Sequence, residues 1–485
     1  MIKNPDIFRR ASERLDSVIG VFSPETALKR KAYRFSYDAV DGSRTRKKRN
    51  SKGGTGDSHL TDAKLDKLRE IARDLGRNNP LVKGILKTER DGVVGSGVNI
   101  QARTEDAGWN ETAEAAFKAD MIDQPCDVTG RFNINKIVRE MYLSYRRDGD
   151  VAAIFQKDRL QLIEGDQIGT PYGSAELKYN DVSNGIAFSK KTGRLTGYFV
   201  GKPNKYGYIE AASVKRFKAP SVHFMFNPDR FSFSRGEPIM TSSIDYVDKL
   251  CSYIDAELVA AKVNACFSMF IAQENPNIAS GYTGGVSSTG QDEDGNRLEK
   301  IEPGIVNYGQ PGENAYGIGQ VRPGTQFDPF ILRMLTFIGR PLCMPLMLIT
   351  LDFAGATFMN SRIAYQKCQE AWMAEQDNVV KPFESRVWRW KIAELIERKI
   401  LTPRDDWAAH EVISNRWPYV DPYKEAMADK VQLANNTTNR TLICARQGTE
   451  FKEIAAVRTK EEPLVIAVAP AVVPVVKPAE KGDKK

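Results

Sequence analysis

Residues 241–272 run for 32 residues without a glycine or a proline, and that run constrains the fold more than any other feature of the chain. It fits one long helix, with Ser242 or Ser243 able to cap its start. Ile244, Val247, Cys251, Ile254 and Leu258 recur at helical spacing as an apolar stripe, while Asp248, Ser252, Asp255 and Lys262 fall on another face. At 1.5 Å per residue such a helix is ~45 Å long. Helices of that length pack against partners or line an assembly.

Upstream, helical and strand-like patterns alternate. Leu65, Leu68, Ile71, Ala72 and Leu75 share a helical face, Asn78-Asn79-Pro80 interrupts it, and Val82, Ile85 and Leu86 resume a second helix. Residues 98–102 alternate like a strand, 109–125 and 134–147 read as helices, and short alternating runs follow at 151–156, 160–163, 185–188, 195–200 and 222–226. This is a mixed α+β region.

Downstream, residues 273–326 are rich in Gly, Pro and Asn, with a strand-like piece at 304–308. Helical spacing returns at 327–338, and 352–360 (DFAGATFMN) reads as a small-residue loop without a helical face. Residues 361–400 form a long helical stretch with an expected kink at Pro382. Asp421-Pro422 is a capped helix start, a further helix covers 440–446, and the Pro/Ala/Val-rich sequence beyond Pro463 reads as a disordered tail.

A chain of 485 residues has room for about three structural units. Its net charge of +8 is unevenly placed: residues 1–60 hold 14 Lys+Arg and 7 Asp+Glu, and the other 425 hold 56 and 55. A basic arm therefore precedes a nearly neutral body, and such arms touch nucleic acid, acidic surfaces or partner proteins, or are solvated tails. Six cysteines without a CxxC pair fit reduced, buried thiols in a cytosolic setting. The first residues lack the apolar stretch of a signal peptide. Residues 334–353 are apolar but contain Arg340, Pro341 and Pro345, which argues against a membrane span. A soluble protein is expected.

Catalytic patterns are hard to find. There is no GxxxxGK[ST] phosphate loop, no HExxH and no GxSxG. His59, His223 and His410 are too dispersed for a metal centre, and in the Asp292, Asp294, Asn296 run Gly295 precedes the third ligand, whereas a calcium loop has its glycine one residue after it. No cofactor, no metal site and no enzymatic activity are expected. A chain of this size without such patterns points to a structural or binding role.

Several segments together resemble the lambda-type family of tailed-phage portal proteins. They are residues 72–80 (ARDLGRNNP) and 91–97 (DGVVGSG), then 223–230 (HFMFNPDR) with Arg235-Gly-Glu-Pro238, then Asp255 to Lys262 in the long helix. Pro303-Gly304, Pro311-Gly-Glu313 and 323–329 continue the series, followed by Gly339-Arg-Pro-Leu342, Pro345, Asn360-Ser-Arg-Ile-Ala364, and Trp417 to Pro422 with Lys424-Glu425. Their order and spacing carry the resemblance. One departure is Leu351-Asp352-Phe353-Ala354, where such proteins often have Gly before the acidic residue and Ser after it.

The resemblance implies an α+β portal-type fold. Residues 61–240 and 363–420 would form the wing, 241–272 and 327–345 the stem helices, 273–326 the clip, 346–362 the tunnel-loop region and 421–463 a helical crown, with 1–60 as the arm and 464–485 as the tail. It implies a homo-oligomeric ring, typically of twelve subunits, at one capsid vertex of a virion assembled in the host cytoplasm. Double-stranded DNA would pass non-specifically along its axis. Terminase, a head–tail adaptor and major capsid protein or scaffold would be its partners. The stem residues expected at the channel are Asp248, Lys249, Asp255, Glu257 and Lys262, and those of the tunnel loop are Asp352, Phe353, Phe358, Met359 and Asn360. Two other readings stay open: a nucleic-acid-processing enzyme such as a packaging ATPase, and another head or tail structural protein.

Overall fold

A computed structural model describes residues 55–171, 177, 180–202, 213–266, 269–271, 290–291, 297–298, 306–308, 324–355, 357–414, 417, 421–446, 449 and 451–461. The basic arm before residue 55, most of the expected clip with the 292–296 run, and the tail from 464 lie outside the described residues. The chain divides into Met1–His59 and Leu60–Lys485. The described end of the first unit is one helical turn, Gly56–His59. All that follows concerns the second.

Its first helix, α1 (Asp62–Asn78), buries Leu65, Arg69 and Ala72 on one face. Asn79 ends α1 and starts α2 (Pro80–Val94), where its side chain accepts hydrogen bonds from the amides of Leu81 and Val82 and Pro80 takes the first helical position. Strand β1 (Ile100–Ala102), α3 (Ala107–Phe117) and α4 (Ile134–Asp148) follow. Between α3 and α4 the chain makes a π turn at Lys118–Ile122.

Strand β2 (Asp150–Phe155) is the centre of a three-stranded antiparallel sheet, with β3 (Leu160–Glu164) on one side and β8 (Val222–Phe226) on the other. Val151 and Ala153 face the helical core, while Ala152 and Ile154 face a second sheet. That sheet has the order β4 (Asn180–Ser183), β5 (Ile186–Ser189), β6 (Leu195–Val200), β7 (Lys215–Lys218). The period-2 geometry of a strand thus sends alternate residues of one apolar run into two cores.

After β8, residues 227–240 lead into α5 (Ile244–Cys266). The helix is shorter than the 32-residue run that encodes it. Met269–Ile271 is instead a strand, β9, which pairs in parallel with Val306–Tyr308. Then come α6 (Phe327–Gly339), a short α7 (Leu346–Thr350) and α8 (Phe358–Glu375). The long helical stretch continues through a π turn at Gln376–Val380 into α9 (Lys381–Glu397). The expected break at Pro382 therefore falls slightly earlier: the π turn changes register, which lets Pro382 sit in the first turn of α9, where its missing N–H costs nothing. Helices α10 (Pro422–Ala434), α11 (Arg440–Arg446) and α12 (Phe451–Glu461) end the described chain, and Asp421 caps α10 by accepting from the Lys424 amide.

The helical core gathers α2, α3, α4, α8 and α9 around Trp388, which is fully buried and meets Phe117 with ring centroids 5.0 Å apart. Among the described residues no helix is long and apolar enough to cross a membrane. Cys126 and Cys368 are buried as expected, but Cys251 and Cys343 are exposed, so burial is not general to the thiols.

One ionic cluster joins these parts. Asp150, fully buried, accepts from Arg69 Nη2 at 2.9 Å and from Arg235 Nε at 2.7 Å, and also from the Gly236 amide. Arg235 donates further to the carbonyls of Ile168, Asn184 and Gly165. Gly165 is required here, because a Cβ would lie 2.1 Å from Asp150 Oδ1. Next door, Asp148 pairs with Arg73 at 2.9 Å and with Arg147 at 2.7 Å. Burial acts to raise the Asp150 carboxyl, but Arg235 and Arg69 outweigh it and hold the group below its ordinary range.

Asp150→Ala leaves the buried Arg235 without its carboxylate partner and Arg69 with only the exposed Asp66, 3.6 Å away, and is expected to destabilise the fold by about 3–5 kcal/mol. Because the folded-state pKa is depressed, the contribution is present above the ordinary carboxylate pKa and lost as pH falls through the folded value. Urea midpoints of the wild type and the variant should therefore differ at neutral pH and converge below about pH 4; equal midpoints at neutral pH would refute the role.

Glu384 lies in the first turn of α9, is 5% exposed, and burial pushes its carboxyl up to about 8, with Lys381 offsetting only part of that. The folded chain holds a proton there that the unfolded chain has released, so stability falls from about pH 4.5 to about pH 8. Glu384→Gln should raise the melting temperature at pH 8 and change it little at pH 4. An equal shift at both would show that the effect is not protonation.

Candidate functional site

Helices α5 and α6 pack side by side and antiparallel. Tyr246, near the start of α5, meets Phe337, near the end of α6, with centroids at 5.9 Å. Further along, Tyr253 stacks on Phe327 at 5.8 Å and meets Phe330 edge-on at 5.0 Å. The pair is held at its base, where Ser243 Oγ donates to the Ile338 carbonyl at 3.2 Å and Asn79 Nδ2 lies 3.2 Å from Cys251 Sγ.

The buried side of α5 is Val247, Leu250 and Glu257, with Tyr253 half-buried. This corrects the apolar stripe expected from spacing. Val247 is on it, but Cys251, Ile254 and Leu258 are exposed, the last two at 40% and 52%. The rotation follows from the aromatic side chains of α6, which claim the Tyr246–Tyr253 face. Leu250 and Tyr253 were missed, because a tyrosine within a polar-looking run reads as solvated until its partners are known.

Of the expected channel residues, Asp248, Lys249, Asp255 and Lys262 are exposed and Glu257 is buried at 7%. Burial within the protomer takes Glu257 off the surface, so it cannot meet a passing ligand. Asp248, Asp255 and Lys262 recur every seven residues, two helical turns of ~10.5 Å, and so share one stripe. Lys249 is engaged within its own helix by Asp245, at 2.5 Å.

The second expected element, residues 352–360, is a loop only to Thr357. Phe358, Met359 and Asn360 form the first turn of α8. Phe353 and Met359 are 55% and 63% exposed, Asp352 and Asn360 are exposed too, and the Phe358 side chain lies outside the described residues. Asp352 turns the chain by accepting from the Ala354 amide at 2.9 Å, and its own amide donates to Thr350 Oγ1 at 3.3 Å.

Leu351 has φ 54° and ψ 26°, the left-handed region that a side chain disfavours. This is the position where the resemblance leads one to expect glycine, and the geometry gives the reason. Leu351 is 67% exposed, so its side chain contributes little packing. Leu351→Gly should stabilise the chain by up to about 1 kcal/mol through relief of that strain. A lowered melting temperature would show that the leucine is held for another purpose.

No curated protein matches the chain. Among solved structures, the neck of an empty gene transfer agent (GTA) particle computed with C6 symmetry aligns at TM-score 0.41 and 12% identity, over 78% of this chain and 93% of that one. A native GTA virion aligns at 0.40 and 12%, over 79% and 93%, and a native GTA neck computed with C12 symmetry at 0.39 and 12%, over 78% and 93%. A family model described as phage portal protein, lambda family, matches residues 42–376. That span covers well over half of the sequence, and the chain belongs to the lambda family of phage portal proteins.

Proposed function

We propose that this portal protein works as a closed ring, typically of twelve copies, at one capsid vertex, with duplex DNA passing non-specifically along its axis during packaging and ejection. The observation that carries the ring is the outer surface of the α5–α6 pair. Ile254, Leu258 and Val259 of α5 are 40–58% exposed, and Phe330, Leu332 and Phe337 of α6 are 43–51% exposed. Apart from Val259, which lies between Asp255 and Lys262 on the charged stripe, these large apolar side chains leave water when another copy covers them, and repetition of such a contact closes a ring.

In this ring α5 and α6 are the stem, and the stripe of Asp248, Asp255 and Lys262 faces DNA. Duplex DNA must slide, and each phosphate neutralised by a fixed cation adds affinity and hence a barrier. A stripe with two carboxylates and one ammonium gives a weak, mostly repulsive surface. The turn from Leu351 to Thr357, with Phe353 at its tip and Met359 and Asn360 just behind, is the candidate gate. Residues 61–240 and 363–420 serve as the wing, 273–326 as a clip that docks terminase and later a head–tail adaptor, and 421–463 as the crown. The arm, residues 1–60, anchors the ring to capsid protein or scaffold. The role is positional, not enzymatic.

Ile254→Asp with Leu258→Asp should give folded protein that no longer forms rings in electron micrographs, whereas the wild type shows rings with a hole wide enough for duplex DNA. Wild-type images of only monomers and irregular aggregates would refute the ring. Deleting residues 353–356 should leave rings intact but lower the DNA retained in particles; a normal packaged length would remove the turn from the mechanism. DNA-stimulated ATP hydrolysis by the pure chain would overturn the non-enzymatic reading.

A further inference from the structure

The sheet β4–β5–β6–β7 carries a second, oppositely charged surface. Residues 186–202 and 213–221 contain Lys190, Lys191, Arg194, Lys202, Lys215, Arg216 and Lys218, and no Asp or Glu. All seven side chains are exposed. Strand β7 lies at the sheet's edge, where three of its four residues are cations. The β5–β6 turn bears three more. It is closed by the Ser189 amide donating to the Arg194 carbonyl at 2.8 Å, with Gly193 at φ 65°. Because Gly197 pairs with Lys218, this turn lies beside the Lys218 end of β7, and the two groups of cations form one field.

The rest of the chain makes this concentration informative. The 425 residues after the arm hold 56 basic and 55 acidic groups, so seven cations against one exposed carboxylate on the described sheet, Asp181 in β4 at the edge away from β7, is a segregation, not an average. By contrast Arg69, Arg73, Arg147 and Arg235 all pair with carboxylates. Among the described residues no ion pair engages Lys191, Arg194, Lys202, Lys215 or Lys218.

We infer that this sheet is a binding surface for the phosphate backbone of duplex DNA outside the axial channel. An acidic protein partner would need an apolar anchor as well as charge, since buried aromatic and aliphatic side chains dominate protein interfaces. Leu195, 37% exposed, is the one large apolar side chain exposed on the described part of the sheet. Long flexible cations on an open sheet edge, without a pocket, suit a regular polyanion read by charge and not by base sequence. The acidic stripe of α5 and the basic edge of β7 then divide the labour, one for DNA that must move and one for DNA that can rest.

The test uses covalently closed circular duplex DNA, which cannot be threaded through a ring, and the full-length chain. Each lost phosphate contact should flatten the slope of log K against log salt by about 0.9. Lys215→Ala, Arg216→Ala and Lys218→Ala together should therefore flatten it by about 2.7 and weaken binding at least about tenfold at 0.1 M salt. Lys190→Ala, Lys191→Ala and Arg194→Ala, in a turn that takes no part in the β6–β7 pairing, should do the same, which separates lost contacts from lost folding. Unchanged slopes in both variants would overturn the proposal. Polyglutamate bound as tightly as DNA at the same salt would also overturn it, in favour of an acidic protein. Neither outcome would touch the ring or its channel.

Discussion

The Asp150 carboxylate, held between Arg69 and Arg235, is the contact on which the geometry of the chain depends. Arg69 belongs to the first helix of the body, Asp150 to the central strand, and Arg235 to the segment that leads into the long helix. Through Arg235 the same cluster reaches the carbonyls of Ile168 and Asn184 beside the small sheet. Two buried guanidiniums and one carboxylate leave a net positive charge, which the carbonyls of Gly165, Ile168, Asn184 and Asp148 help to neutralise. Nearby backbones are locked to match: Gly149 lies at φ 92°, and its carbonyl accepts from the Asn227 amide at 3.1 Å. The segment that leads into the long helix is thereby anchored by electrostatics at its root.

Much of this architecture was legible because period and punctuation agree. The Asn79-Pro80 break, the Asp421-Pro422 cap, and the strands at 195–200 and 222–226 lie where the residues predict them. What the pattern could not show is pairing at a distance. Arg69 sits between Leu65 and Ala72 on the buried face of its helix, and a lone arginine there is unreadable without an aspartate 81 residues away. The long helix was misphased for the same reason: its buried side is chosen by aromatic residues more than 70 positions later. The loop expected at 352–360 proved shorter because Phe358-Met-Asn360 carries no helical face of its own yet starts a helix that continues well beyond it.

Charge shows how an average can mislead. A net +8 suggests a nucleic-acid binder, and a near-neutral body suggests a surface indifferent to phosphate. The structure resolves the body into an exposed stripe of Asp248, Asp255 and Lys262 on the long helix, a buried ionic cluster with no outward role, and a small sheet whose strands β5–β7 and the turn between β5 and β6 carry cations and no carboxylate. Under the proposed function this partition is physically sensible, since one surface would let DNA slide without adhering and the other would hold it.

The central claim is that one side of the long helix meets its neighbours and another meets DNA. An electron cryomicroscopy reconstruction of the assembled chain at side-chain resolution tests it most directly. The account predicts Ile254 and Leu258 packed against the α5–α6 pair of an adjacent copy, with Asp248, Asp255 and Lys262 lining the lumen. A ring in which that charged stripe lies between subunits, with the apolar side chains facing the channel, would contradict it.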